Sequence, residues 1–149
     1  MKVSRFLKEL DDAQITAAIK QAEQCTSGEI RVYISDKSVE EPVEEAARQF
    51  HKLGMDKTAL RNGVLIYVAP LSQTCAVIGD IGIHEKCGNE FWERTVQEMS
   101  SRLKQEDFTS ALVAAISHCG TALAQHFPRG ECDKDELPNQ IARPGDPAS

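Results

Sequence analysis

The stretch NGVLIYVAPLSQTCAVIGDIGIHE, Asn62 to Glu85, decides the fold. GVLIYVA is apolar on both faces, the signature of a strand in the middle of a covered sheet. Pro70 to Thr74 make a short polar turn, and CAVIGD resumes the apolar character at once, so the two runs predict an antiparallel hairpin. The remainder, DIGIHE, reads as the loop leaving the hairpin.

Upstream, EIRVYIS alternates Ile30, Val32 and Ile34 against Arg31, Tyr33 and Ser35, the period of a half-buried strand. VEEPVEEAARQFHKLG places Val43, Ala46, Ala47, Phe50 and Leu53 on one helical face and stops at Gly54. A shorter amphipathic helix precedes the first strand, with Ile15, Ala18, Ile19 and Ala22 at helical spacing between Asp11-Asp12 and Thr26-Ser27-Gly28. Downstream, Trp92, Val96, Met99 and Leu103 share one stripe, and Phe108, Leu112, Ile116, Cys119 and Leu123 share another. Both stripes predict core-facing helices. Residues 1–127 therefore form one domain, and 128–149, rich in Pro, Gly and charge, form a partly disordered tail anchored by Leu137 and Ile141.

The order predicts an α/β fold: a three-layer α/β/α sandwich whose small mixed sheet runs strand, helix, strand, hairpin, strand, with helices on both faces. A helical crossover makes the first two strands parallel, so Glu29 and Asn62 start at the same end of the sheet. The third strand returns, bringing Asp80 and then His84 and Glu85 to that end. Such an oxygen-rich set suits calcium or magnesium better than zinc. The plainer alternative is that Glu29 is a solvated strand terminus, Asn62 serves a turn, and Gly79 and Gly82 serve the backbone.

Composition narrows the partners. With 149 residues, 41% hydrophobic content and a formal charge of −6, the chain supports one core and repels phosphate backbones, so nucleic acid is not expected. No stretch approaches the roughly 20 apolar residues of a membrane span, and the amino terminus lacks a signal-peptide block. Neither membrane insertion nor export is expected. Cys25, Cys75, Cys87, Cys119 and Cys132 are odd in number and widely spaced, which predicts neither a disulfide framework nor a zinc knuckle and places the chain in the cytoplasm. No G-x-S-x-G elbow or phosphate loop is present, so catalytic residues stay unassigned and no organic cofactor is expected. Cys87, three residues after His84, is a candidate redox thiol; His118 and His126 read as structural.

The segments TSGEIRVYIS, FHKLGMDKTALRNGVLIYVAPLSQTCAVIGDIGI and EDFTSALVAAISHCG resemble the TPM domain, a family named for a thylakoid lumen protein, a photosystem repair protein and a worm receptor-associated protein. The resemblance covers most of residues 1–127. It implies an α/β sandwich, and an activity drawn from acid phosphatase, divalent-cation binding or an accessory role to membrane complexes. By position it places Glu29, Asn62 and Asp80 in the family's strand-end region and adds Asp107, which opens the last helix. The sequence departs in having GDIGIHEKCG where relatives run from Gly-x-Gly into Leu-Glu, and in lacking a signal peptide and a membrane helix. It is similar to a compact cytosolic branch ending in an ELP tail. The expected function is a non-catalytic divalent-cation-binding or protein-interaction module, accessory to a membrane or stress-related complex, with an unidentified protein partner. The alternative is a weak metal-assisted acid phosphatase, with Arg61 the nearest cation for a phosphoryl group.

Overall fold

A computed structural model describes residues 3–129. Its elements follow the order α1 (Val3–Glu9), α2 (Asp12–Gln24), β1 (Glu29–Ile34), α3 (Pro42–Lys52), β2 (Gly63–Ala69), β3 (Thr74–Gly79), α4 (Ile81–Cys87), α5 (Asn89–Lys104) and α6 (Phe108–His126). Short 3₁₀ turns, Met55–Lys57 and Pro70–Ser72, flank β2.

The sheet has the order β1-β2-β3, with β1 and β2 parallel and β2 and β3 antiparallel. All residues of β2 are buried, as its unbroken apolar run requires. Alternation divides the sheet between two layers. Ile30, Val64, Ile66, Val68, Cys75 and Val77 face α2, α5 and α6, where Phe108, Leu112, Ile116 and Leu123 complete the larger core. Each such aliphatic side chain contributes about 1.5–3 kcal/mol by burial. On the opposite face, Leu65, Tyr67 and Ala76 meet Ala46 and Phe50 of α3, and Met55 fills the end of that layer. The result is the three-layer mixed sandwich expected from the sequence.

Four local readings are corrected. DIGIHE, expected as a loop, enters α4: the Asp80 carboxylate caps the helix by accepting from the Ile81 N–H at 2.7 Å. Gly79 and Gly82 permit close packing here. A Cβ on Gly82 would collide with the carbonyls of Leu60 and Arg61, and one on Gly79 with the Trp92 ring. Second, α1 forms at the amino terminus, where no helix was expected, because Phe6 seats against Phe108 with ring centroids 4.8 Å apart. Third, only Ala46 and Phe50 of the α3 stripe are fully buried; Val43 is 61% exposed and Ala47 is exposed too. The three-stranded sheet is too narrow to cover the whole stripe.

The fourth concerns cysteine. Cys25 is disulfide-bonded, whereas Cys75, Cys87 and Cys119 are free. The reason is tertiary. After α6 the chain returns alongside the end of α2, where Ser27 N–H donates to Phe127 O at 3.0 Å and Arg129 N–H to Cys25 O at 3.1 Å. Pro128 forms an antiparallel bridge with Thr26. The tail expectation, with Leu137 and Ile141, otherwise falls outside the described residues.

Candidate functional site

The sheet brings three strand termini together as its topology demands. Glu29 stands opposite Gly63 in the parallel ladder, and the Asp80 N–H donates to Gly63 O at 2.9 Å. Glu29, Asn62 and Asp80 thus share one end of the sheet.

Asp80 holds that end together. Arg61 Nε donates to Asp80 Oδ2 at 2.8 Å and Nη2 to Oδ1 at 2.9 Å, a bidentate pair on a carboxylate only 6% exposed. Oδ1 also accepts the Ile81 N–H, so both oxygens are engaged. The Asp80 carboxylate raises the Arg61 pKa, chiefly through these hydrogen bonds and then through its charge. Arg61 adopts a left-handed φ of 52°, strained for a residue with a side chain. That turn lets its own carbonyl accept from Gly82 N–H at 2.8 Å while its side chain reaches Asp80. One residue therefore clamps the loop before β2 onto α4 through both backbone and side chain.

The other expected residues have separate partners. Asn62 is buried and donates through Nδ2 to Ser27 Oγ at 3.2 Å. Glu29 receives Arg31 Nε at 3.1 Å on the surface. His84 lies on α4, where Nδ1 accepts from Trp92 Nε1 at 2.9 Å, and Glu85 is exposed on the same helix. Asp107 lies at the other end of the sheet: it precedes Phe108, which lines a small cavity with Val68, Ala69 and Pro70 at the far end of β2. The resemblance added it to the candidate ligands as the residue that opens the last helix, and helix α6 runs the length of the sheet. Among the described residues, no three His, Cys, Asp or Glu side chains are grouped to hold one ion.

Sequence reasoning did not foresee how central Arg61 is. The pattern Arg-Asn-Gly before an apolar strand signals a turn, but nothing local says that the arginine reaches across to Asp80, 19 residues later. His118 has the structural role expected of it, with its ring 4.8 Å from Phe91 and Nδ1 3.2 Å from Thr95 Oγ1. Cys87 is partly buried, and burial pushes its thiol pKa up, the opposite of an activated thiolate.

Comparison with known proteins agrees with this architecture. The TPM domain matches residues 2–122. The solution structure of the BA42 protein from the psychrophilic bacterium Bizionia argentinensis is similar at a TM-score of 0.72 and 41% identity, covering 80% of this chain and 85% of that one. The N-terminal domain of cg2496 from Corynebacterium glutamicum is similar in fold, with a TM-score of 0.59 at 16% identity over 78% of this chain and 75% of that one. No curated protein gives a match. No helix among the described residues is long and apolar enough to cross a membrane. With a family match across most of its length and a 41% identical structural relative, the chain belongs to the TPM domain family.

Proposed function

We propose that this chain is a non-catalytic binding module of the TPM fold, and that a divalent cation or protein partner acts at the strand ends by competing with Arg61 for Asp80. The observation that carries the reading is that Arg61 and Ile81 engage both oxygens of the buried Asp80 carboxylate. A general base needs a lone pair accessible to the reacting proton; three of the roughly four acceptor sites of the Asp80 carboxylate are taken, and the group is only 6% exposed. Arg61 and Ile81 take both oxygens of Asp80, and Asn62 is turned to Ser27. The buried carboxylate nevertheless requires a positive partner, and the guanidinium supplies it. The donor chemistry suits a hard cation, calcium or magnesium, with Asp80 and Glu29 as the oxygen donors at this end.

The test compares the native chain with Arg61→Gln while calcium or magnesium is titrated and the melting temperature followed. Removing the competing guanidinium should tighten cation binding, so the variant responds at lower metal concentration, since a ligand selective for the folded chain must raise its stability. An identical response in both would remove Asp80 as the ligand. No response in either would remove the cation and leave the protein-binding reading. Metal-dependent hydrolysis of a generic phosphate ester, abolished in Asp80→Asn, would overturn the non-catalytic reading and restore the phosphatase alternative.

A further inference from the structure

We propose that the outer edge of β3 is a docking site for an extended segment of a partner protein, one with apolar residues at alternate positions and a lysine or arginine set to face Glu93. Neither Arg61 nor Asp80 lines the site, although Gly79 and His84 beside them do, so the proposal does not rest on cation binding or turnover at Asp80.

Sheet register shows which backbone groups are available. The bond from Asp80 N–H to Gly63 O makes these two a hydrogen-bonded pair, and the antiparallel register carries that parity along the hairpin. Ile78 and Ala76 therefore turn their backbone groups inward to Leu65 and Tyr67. Cys75, Val77 and Gly79 turn theirs outward, at the edge of a three-stranded sheet in which β3 has no second neighbour among the described residues. At the opposite edge one outward amide of β1, that of Ile30, is taken by Glu23 Oε2 at 2.8 Å. No backbone or side-chain hydrogen bond of this kind covers Cys75, Val77 or Gly79 among the described residues. An uncovered edge is a template for an added strand.

A groove of about 710 Å³ follows this edge. It is lined by every residue from Cys75 to Gly79, and successive strand residues point to opposite faces, so a groove touching all of them runs along the edge itself. Exposed Val43 of α3 forms one wall, and Trp92 and Val96 of α5 the other. Taking a rise of about 3.3 Å, a strand spacing of about 4.8 Å and a layer spacing of about 10 Å, one extended residue fills roughly 160 Å³. The groove accommodates about four or five residues, the length of strand that lines it. Its walls favour alternate apolar side chains. Glu93 is the one carboxylate among the lining residues, which include no lysine or arginine, and this selects a basic residue on the incoming segment. The net charge of −6 on each chain weighs against a second copy as the occupant.

The full chain, labelled with ¹⁵N, is titrated with a synthetic peptide of sequence lysine-valine-threonine-valine-threonine-valine. Two further peptides carry N-methyl groups on alternate residues, one on each set of outward-facing amides. Saturable shifts at the Cys75, Val77 and Gly79 amides are expected, with a dissociation constant below about 1 mM. Only one of the N-methylated peptides should lose binding, because a strand donates to its neighbour from alternate residues. In Glu93→Lys, an exposed change that leaves the core intact, preference should pass by about three-fold to a peptide with glutamate in place of lysine. Absence of saturable shifts, or equal binding of all three peptides, overturns the proposal. So does slow exchange of the Val77 and Gly79 amides in the free monomer, which would assign the edge to this chain's own segment. Protection of those amides that appears only with concentration-dependent dimerisation assigns it to a second copy and overturns the proposal equally.

Discussion

Arg61 and Asp80 meet through two near-parallel hydrogen bonds of 2.8 and 2.9 Å, and the same carboxylate caps α4 through the Ile81 N–H. Asp80→Ala removes the cap and the buried partner of the guanidinium together, and is expected to cost about 2 kcal/mol of unfolding free energy by denaturant titration. Asp80→Asn keeps a capping oxygen and should lose less. Arg61→Gly relieves the strained φ while breaking the pair, so it should fall nearer the native stability than Arg61→Ala, which keeps the strain.

Gly82 tests the backbone half of the same clamp. A Cβ there meets the carbonyls of Leu60 and Arg61, which have no flexible side-chain end to move aside. Gly82→Ala should destabilise by about 2 kcal/mol or more, and faster amide exchange at Gly82 should report the loosened contact with Arg61 O.

Thr26 joins the two ends of the domain. It is fully buried; Oγ1 donates toward Phe127 O at 2.6 Å, lies 3.1 Å from Leu123 O, and accepts the Gly28 N–H at 3.0 Å. Thr26→Val keeps the shape but leaves the buried Gly28 N–H without its acceptor and removes the hydroxyl's bond to Phe127 O, with an expected cost of about 1–3 kcal/mol by thermal or denaturant unfolding. Thr26→Ser should retain most of the stability.

Thiol chemistry follows burial. Burial pushes Cys75 up to about 11 and Cys119 up to about 12, so both stay protonated at neutral pH, and it also raises the less buried Cys87. Iodoacetamide at pH 7.5 should modify Cys87 before Cys75 or Cys119, read by mass spectrometry of peptides. The raised values also set a pH limit. The stabilising contribution of the neutral buried thiols is fully present below the unfolded value near 9.0 and is lost as pH rises through 11 and 12. Melting temperature should decline over that interval, and Cys119→Ala should flatten the decline.

Asp56 gives the acid-side counterpart. Its carboxyl is held below the usual value, first by the hydrogen bond from His51 at 2.9 Å. A depressed carboxyl contributes stability above its unfolded value near 3.8, lost as pH falls through the lower folded value. Asp56→Asn should therefore lose a small, pH-dependent part of the acid-side stability, seen by comparing melting curves at pH 5 and pH 3.

The sequence by itself determined the sheet and its layers. Strand periodicity, the polar turn at Pro70 to Thr74 and the helical crossover are local or topological signals, and they suffice to place Glu29, Asn62 and Asp80 at one end. Tertiary structure alone decided what those residues do there. Hydrophobic period says which face is buried but not which distant side chain meets a carboxylate, so the Arg61–Asp80 clamp, the Trp92–His84 bond and the placement of Asp107 at the far end appear only when the chain is folded. The same holds for Val43, exposed because a three-stranded sheet is narrower than the helix stripe above it, and for the disulfide at Cys25, where the chain returning after α6 lies alongside the end of α2.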